Sequence, residues 1–267
     1  MGRAVLNRLL LAPCVYVALL QAVPVLKADD AFDRDAALSV SQAAIGEAIG
    51  AYTLRDTDGQ PFQMQSLSGR PYVLSMIYTS CHHVCPLITR RIASNVEIAR
   101  EALGDEAFAV VTVGFDWRVD TPERMRLYRR NMGAANAAWH FLSGDDGSIR
   151  SLTEDTGFQF TASSGGFEHL SQTTIVDANG RIYRQIYGDD FKTQAFVEPL
   201  KELVLGNHQA SGFVQSWIDT VKLFCTVYDP NSGRYAFDYS IFVALLTGIL
   251  CLGAVLIFIV REWRIAR

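Results

Sequence analysis

The sequence is poor in cysteine and has no extended block of one charge. Only 5 cysteines occur in 267 residues, and two of them, Cys14 and Cys251, fall inside apolar runs. The other three, Cys81, Cys85 and Cys225, are too few for a fold held together by disulfides. The formal net charge is -4, and neither the ends nor the middle carry a basic block. A nucleic-acid partner is therefore not expected.

The chain also lacks internal repeats and low-complexity tracts, and its length suits one mid-sized domain with appendages. At the N-terminus, residues 1–28 predict an export signal, with two arginines before an apolar core over 9–23 and the small Ala28 at a cleavage point. Two alternatives stay open. One is a lipoprotein modified at Cys14, and the other is an uncleaved anchor helix, for which the run is somewhat short.

At the C-terminus, residues 241–260 contain no charged side chain and predict a transmembrane helix. Such a helix rises about 1.5 Å per residue and spans roughly 30 Å, the thickness of a bilayer core. Three arginines follow in the tail 261–267, so the positive-inside rule places the tail in the cytoplasm. The export signal gives the same orientation. The sequence thus predicts a domain tethered on the periplasmic side of a bacterial-type inner membrane.

The segment 207–240 predicts a short amphipathic helix before this run. Four apolar side chains in it recur at helical spacing: Phe213, Trp217, Val221 and Phe224. Both a membrane surface and the soluble domain would suit this apolar face, and the tyrosines at 228, 235 and 239 suit a membrane interface. Cys225 is interpreted as a small buried or interfacial residue, with a redox or metal-handoff role as the alternative.

Residues 51–206 predict an α/β domain, preceded over 29–50 by a linker or lead-in helix. The run 72–78 is continuously apolar, as in a strand of a sheet covered on both faces. Apolar residues then recur at helical spacing up to Gly104, and Asn179-Gly180 marks a hairpin. The predicted order is hairpin, β, α, β, α, β, α, β, β, α, which means a mixed sheet flanked by helices. The thioredoxin-like fold satisfies this order.

Cys81 and Cys85 follow the apolar strand and carry the expected chemistry. If a helix starts at or just before Cys81, the two sulfurs lie one turn apart, and the positive helix N-terminus favours thiolate. Disulfide exchange, a soft-metal site and a structural disulfide all fit two thiols. The spacing is wider than the Cys-x-x-Cys of thioredoxin-type enzymes. Zinc would want a second pair of ligands at short spacing, which is lacking, whereas two thiolates and one imidazole would suit Cu(I).

Three motifs then occur in order: Tyr78-Thr79-Ser80-Cys81-x-x-x-Cys85-Pro86, Asp116-x-x-x-Asp120-Thr121-Pro122, and His169 ahead of Thr173-Thr174-Ile175-Val176-Asp177-x-x-Gly180. On these motifs the chain resembles the Sco/SenC family of copper-binding, thioredoxin-like proteins over residues 50–205. The resemblance implies one copper ion per chain, bound by Cys81, Cys85 and His169. It also implies a role in delivering copper to the dinuclear centre of a respiratory oxidase, or in reducing the thiols of that centre.

The expected partner is the copper-site subunit of such an oxidase or another copper protein. Family members usually carry an N-terminal membrane helix, whereas this chain has an apparently cleaved signal and a C-terminal anchor, which leaves the exact partner open. Two hypotheses use the same cysteines: a metallochaperone that passes on Cu(I), and a thiol-disulfide reductase that keeps a partner's thiols reduced. A peroxidase is disfavoured because residues 74–81 lack the Pro-x-x-x-Thr-x-x-Cys context of that class.

His169 is a reasonable third ligand on its own residues as well. The segment from Thr161 to Glu168 is rich in glycine and serine and predicts a flexible loop that leads to it. Residues 170–174 contain no proline, whereas a plain thioredoxin-fold oxidoreductase carries a cis-proline before the strand that faces its cysteines.

The other polar residues near these motifs have weaker signals. His82 and His83 are expected to point off the cysteine face, with docking or transient Cu(II) binding as their functional alternative. By resemblance Asp116 and Asp120 border the metal site; otherwise they only end a strand and lead into a helix. The two remaining histidines, at 140 and 208, are interpreted as structural or exposed.

Overall fold

The computed structural model describes residues 32–134, 138–206, 226–229, 234–237 and 240–265. The predictions of an export signal over 1–28, of an amphipathic helix over 213–224, and of roles for Cys225 and His208 lie outside these residues. So do the predicted interfacial position of Tyr239 and the lipoprotein alternative at Cys14.

The described elements follow the predicted order over residues 51–206, except that an additional hairpin, β6–β7, precedes β8. In chain order they are α1 (Arg34–Ala43), β1 (Thr53–Arg55), β2 (Pro61–Gln63), a 3₁₀ helix (Met64–Leu67), β3 (Tyr72–Ile77), α2 (Val84–Leu103), β4 (Ala109–Gly114), α3 (Pro122–Asn131), β5 (Trp139–Ser143), α4 (Asp146–Asp155), β6 (Phe160–Ser163), β7 (Gly166–His169), β8 (Gln172–Val176), β9 (Ile182–Tyr187), α5 (Thr193–Gly206), β10 (Thr226–Asp229), β11 (Arg234–Phe237) and α6 (Ser240–Ile265).

Seven strands form one mixed sheet in the order β2-β1-β5-β4-β3-β8-β9. The three central strands β3, β4 and β5 run parallel, and the flanking strands pair antiparallel. Every residue of β3 and β4 is buried, which is what a continuously apolar strand requires when helices cover both faces of the sheet. The prediction of a mixed α/β sheet flanked by helices is confirmed.

Helix α2 packs one face on this sheet. Its buried apolar positions include Ile88, Ile92, Val96 and Ala99, which follow the periodicity seen in the sequence. The helix ends where Gly104 takes a φ of 105°, a conformation that glycine adopts without strain. Burying each large aliphatic side chain of this face contributes about 1.5–3 kcal/mol, so the helix is held mainly by tertiary packing.

The parallel strands bring two loops to the same edge of the sheet. Strand β3 ends at Ile77 and β4 at Gly114, and the pairing continues one step further, because the Phe115 N–H donates to the Ile77 carbonyl at 2.8 Å. The loops that follow, 78–83 and 115–121, therefore start side by side. In open α/β sheets this carboxyl edge is where ligands bind.

The start of α2 differs from its expected position. The helix begins at Val84 and not at or before Cys81, because the chain first makes a turn in which the Cys81 N–H donates to the Tyr78 carbonyl at 3.1 Å. His83, at the N-cap, has φ −121° and ψ −79°, which is not helical. The two cysteines thus do not lie on successive turns of one helix.

The glycine- and serine-rich segment before His169 also differs from its prediction as a flexible loop. It forms a β-hairpin in which Ser163 pairs with Gly166 and Phe160 pairs with His169. This hairpin is a separate two-stranded sheet whose side chains are mostly exposed or half-buried. His169 is therefore the last residue of a strand, with a defined partner, instead of a residue on an irregular loop.

The C-terminal region contains a hairpin and a helix. Strands β10 and β11 pair so that Tyr228 lies opposite Tyr235, within the segment 207–240. Helix α6 covers the uncharged run 241–260. Across the residues that the structure describes, no helix combines the length and apolar character needed to cross a membrane. The transmembrane helix stays a prediction.

Candidate functional site

The sulfur of Cys81 takes the place of a helix cap at the start of α2. The His83 side chain makes no capping bond, and the Cys85 N–H instead donates to Cys81 Sγ at 3.5 Å. The His83 N–H also points at this sulfur. Such N–H groups have no partner within a helix and carry the positive end of its dipole. A negatively charged sulfur is therefore favoured at this position.

Cys81 and Cys85 are free thiols. They share a hydrogen bond that shifts their two pKa values in opposite directions. The Cys85 thiol donates to Cys81, which lowers the pKa of Cys81 well below its usual range against the opposing effect of burial. The same bond, followed by burial, raises the pKa of Cys85. At neutral pH the pair thus consists of a half-buried Cys81 thiolate and a Cys85 thiol that is 1% exposed.

Asp120, in the loop after β4, holds the cysteine loop, and the three hydrogen bonds to its carboxylate are together called the clamp. One carboxylate oxygen accepts the Thr79 N–H at 2.8 Å and the Thr79 hydroxyl at 2.6 Å, and the other accepts the Asp116 N–H at 2.9 Å. Asp120 is only 1% exposed, and this burial raises the pKa of its carboxyl although the three bonds lower it. A Cβ on Gly114 would lie 2.4 Å from Asp120 Cβ, so glycine is required there.

This clamp refines the prediction that Asp116 and Asp120 border the metal site. Asp120 fixes the backbone two residues before Cys81, whereas Asp116 contributes only its backbone N–H to this arrangement. Each aspartate also lies where the plainer interpretation expected it, between the end of β4 and the start of α3.

His169 presents one nitrogen for binding. Its Nδ1 lies 2.8 Å from the Leu170 carbonyl oxygen, which can only accept, so Nδ1 carries the proton and Nε2 keeps a free lone pair. Phenylalanine rings surround the imidazole, with Phe158 at 5.3 Å and Phe115 at 5.6 Å between ring centroids. This burial lowers the pKa of His169, so the ring is neutral at pH 7. A neutral imidazole with a fixed tautomer is the form that binds metals.

Tyr78 connects the two halves of the site, and sequence reasoning gave it no role. Its hydroxyl bonds to Cys81, and burial first and this bond second raise the pKa of the phenol. Its ring stands edge-on to Phe167 at 5.2 Å and to His169 at 6.1 Å. The hairpin makes room for it at Gly166, where a Cβ would lie 2.8 Å from the Tyr78 hydroxyl. Only its place in the cysteine motif pointed to the residue.

The structure joins two of the three predicted ligands directly. Cys81 and Cys85 share a hydrogen bond, and Tyr78 contacts both Cys81 and the ring of His169. Among the described residues, no group of three His, Cys, Asp or Glu side chains lies close enough together to hold a metal ion. The full ligand set therefore stays a prediction, although a thiolate, a thiol and a neutral imidazole are the donor types that Cu(I) prefers.

Three described histidines lie outside the proposed ligand set. His82 and His83 are exposed, as expected, but both line a cavity with Cys81 instead of facing away from it. His140 lies on β5 with its ring 4.7 Å from that of Phe62, and burial lowers its pKa, which fits a structural role.

A mixed sheet with a cysteine pair after one of its three central parallel strands defines a thioredoxin-like protein. The paired thiols and nearby imidazole further specify thiol or soft-metal chemistry. The model of the SCO1/SenC family matches residues 41–205, and the chain belongs to that family.

Relatives and solved structures agree with this assignment. The chain is 26% identical over 152 residues to the SCO2-like protein RT0576 of Rickettsia typhi, covering 54% of this chain and 71% of the relative. The structure of Arabidopsis thaliana ScoI with copper bound has a TM-score of 0.51 at 19% identity, over 58% of this chain and 98% of the other. The structure of BsSco, a member of the Sco family of cytochrome c oxidase assembly proteins in which a disulfide switch was identified, has a TM-score of 0.53 at 17% identity, over 60% of this chain and 94% of the other. These two structures support the fold.

Proposed function

We propose that this protein is a copper chaperone which binds one Cu(I) ion through Cys81, Cys85 and His169 and helps to assemble the copper centre of a respiratory oxidase. Copper is the cofactor of the family, and the oxidase follows from the assembly role that is described for BsSco. Because the ion is passed on, it is the protein's cargo. The partner would be the copper-site subunit of the oxidase or another copper protein.

The observation that carries the proposal is the state of the three donors. The Cys85 N–H donates to Cys81 Sγ at 3.5 Å and a lowered pKa favours the Cys81 thiolate, while the bond from His169 Nδ1 to the Leu170 carbonyl leaves Nε2 free. Soft thiolates with an imidazole and no carboxylate favour Cu(I) over hard cations such as Mg²⁺ or Ca²⁺. The protein would keep its thiols reduced and in position. The ion would pass to a partner when the partner's donor atoms replace those of this protein.

The test measures the stoichiometry and the affinity of Cu(I) binding by the fully reduced, full-length chain. Wild type is expected to bind one Cu(I), and His169→Ala to bind it at least roughly 10- to 100-fold more weakly, because loss of a mere outer-shell partner of a metal ligand already costs that much. His140→Ala, which removes a histidine packed on Phe62, should leave copper affinity unchanged. Equal copper affinity in wild type and His169→Ala would show that His169 is not a copper ligand.

A thiol-disulfide reductase is the second candidate, and one observation favours it. The half-exposed Cys81 thiolate can attack a disulfide, and the buried Cys85 beside it can then resolve the mixed disulfide. The copper-free, reduced protein should then reduce an oxidised peptide that carries a two-cysteine copper motif. A copper-free protein that leaves this peptide oxidised would rule the activity out, whereas His169→Ala should still perform it.

We further propose that the domain lies on the periplasmic side of a bacterial-type inner membrane, tethered through 241–260. The uncharged run, the three arginines after it and the export pattern over 1–28 support this proposal. The full chain should stay in the membrane pellet after an alkaline carbonate wash, and a chain ending at Ser240 should be released. Release of both would contradict the tether.

A further inference from the structure

A solvent-open cavity of about 430 Å³ lies beside the cysteine pair, on the outer side of Cys81. Cys81, His82 and His83 line it from the loop before α2, and Met132 lines it from the end of α3. His82 and His83 are exposed, so the cavity is reached from solvent without any movement of the chain. Neither histidine is used by the ligand set proposed above.

The side chains around this cavity are unusual in their chemistry. Thiolate sulfur, imidazole nitrogen and thioether sulfur are the protein donors that bind Cu(I) best, and all three types line one cavity. Met132 is held in place as the C-cap directly after α3, where its N–H donates to the Tyr128 carbonyl at 3.0 Å. Its side chain packs partly against the core, so the thioether is positioned and does not trail in solvent.

Cys81 faces two environments. On its inner side it bonds to Cys85, which is 1% exposed, and to Tyr78, which is 7% exposed. On its outer side it opens into the cavity with the two exposed histidines. The exposed cavity histidines are therefore more accessible to an ion from solvent than Cys85 or the half-buried His169.

We propose that this cavity is an entry site for copper: His82, His83 and Met132 receive an incoming Cu(I) ion and hand it to Cys81. The inference rests on the proposed chaperone function, in which copper is the cargo. The transfer is a ligand exchange. The carrier's ligands leave as those of the cavity bind, those of the cavity leave as Cys81 and the inner ligands bind, and the ion remains Cu(I) with no electron transferred.

One further residue limits how tightly the cavity can hold the ion. Arg90 also lines it, and its guanidinium repels a cation at close range. A site with suitable donors and one repelling charge suits brief residence rather than storage. The inner donors are less exposed than the two cavity histidines, since Cys85 is buried and His169 is half-buried, so the ion is better shielded from water once it has moved inward.

The experiment is the rate of copper uptake by the full-length, reduced chain from a Cu(I)–bicinchoninate complex, followed in a stopped-flow instrument. The variants are His82→Ala/His83→Ala together and Met132→Leu, which keeps volume but removes the thioether. The double variant should reach the same final occupancy as wild type but roughly 10- to 100-fold more slowly. Met132→Leu should slow uptake less, and His140→Ala should not slow it.

The outcomes separate this inference from the proposed function. Equal uptake rates in wild type and the double variant overturn the entry site while the chaperone function stands. Loss of final occupancy in the double variant also overturns it, because the imidazoles would then be permanent ligands. A wild-type chain that takes up no copper overturns the chaperone function and the entry site together.

Discussion

The two halves of the candidate site are held by different kinds of interaction. The cysteine loop is fixed by directional hydrogen bonds, from Thr79 and Asp116 to Asp120 and from Cys85 to Cys81. The imidazole of His169 lies at the end of a separate two-stranded hairpin and is held among aromatic rings, with one bond to Leu170. Hydrogen bonds fix both distance and angle, whereas apolar packing is not directional. The thiols are therefore the more rigidly placed of the proposed ligands.

The largest test of this difference is Asp120→Ala. It leaves two N–H groups and one hydroxyl without their acceptor, and we expect the free energy of unfolding to fall by about 3 kcal/mol, since each buried unsatisfied group costs about 1–3 kcal/mol. Urea unfolding of the reduced protein measures the change. Asp116→Ala is the matched control, because only its backbone N–H takes part in the clamp, and its unfolding should be nearly unchanged. Similar losses for both variants would show that the clamp does not hold the loop.

A smaller effect is expected from Gly166→Ala on the hairpin side. The new Cβ would lie 2.8 Å from the Tyr78 hydroxyl, and the φ of 125° is one that alanine avoids. We expect a loss of about 1–3 kcal/mol in stability together with weaker copper binding, because His169 shifts relative to the thiols. Gly165→Ala, where a Cβ meets open space, should change neither quantity. Wild-type affinity in the first variant would mean that packing at Tyr78 does not place His169.

The smallest expected effect concerns Tyr78, which contacts both the cysteine loop and the ring of His169. Tyr78→Phe removes the hydroxyl that donates to the Cys81 thiolate, so the thiolate is less stable and the pKa of Cys81 should rise, by about one unit if the bond contributes about 1.4 kcal/mol. Alkylation of Cys81 in mildly acidic buffer should then slow relative to wild type. The matched control is Tyr128→Phe, which removes a buried hydroxyl that is hydrogen-bonded to Thr89 and should leave the pKa of Cys81 unchanged. An identical pKa of Cys81 in Tyr78→Phe and wild type would show that the Tyr78 hydroxyl does not stabilise the thiolate.

Much of the fold follows from local patterns in the sequence. The apolar run of β3 needs two covered faces, the periodic face of α2 needs a sheet to pack on, and Asn179-Gly180 makes the turn of the β8–β9 hairpin. The cysteine pair was found for the same reason, since its place after a strand and before a helix is local information.

The start of α2 and the β6–β7 hairpin could not be found in this way. The helix starts late because Cys81 supplies the cap from outside it, whereas capping rules look for serine, threonine, aspartate or asparagine. The hairpin has the composition of a loop, and its position depends on contacts with Tyr78 and Phe115, which are distant in the chain. The clamp by Asp120 likewise depends on β3 and β4 lying side by side.

The hydrogen bond between the two cysteines has a consequence for reduction potential. The interactions at the start of α2 stabilise the dithiol form of the pair, since a disulfide can neither donate the shared proton nor carry the charge that the helix N–H groups favour. Stabilising the dithiol makes the corresponding disulfide a stronger oxidant and easier to reduce. In an oxidising compartment, where unprotected thiols are lost, this shifts the equilibrium of Cys81 and Cys85 towards the only form that can accept Cu(I).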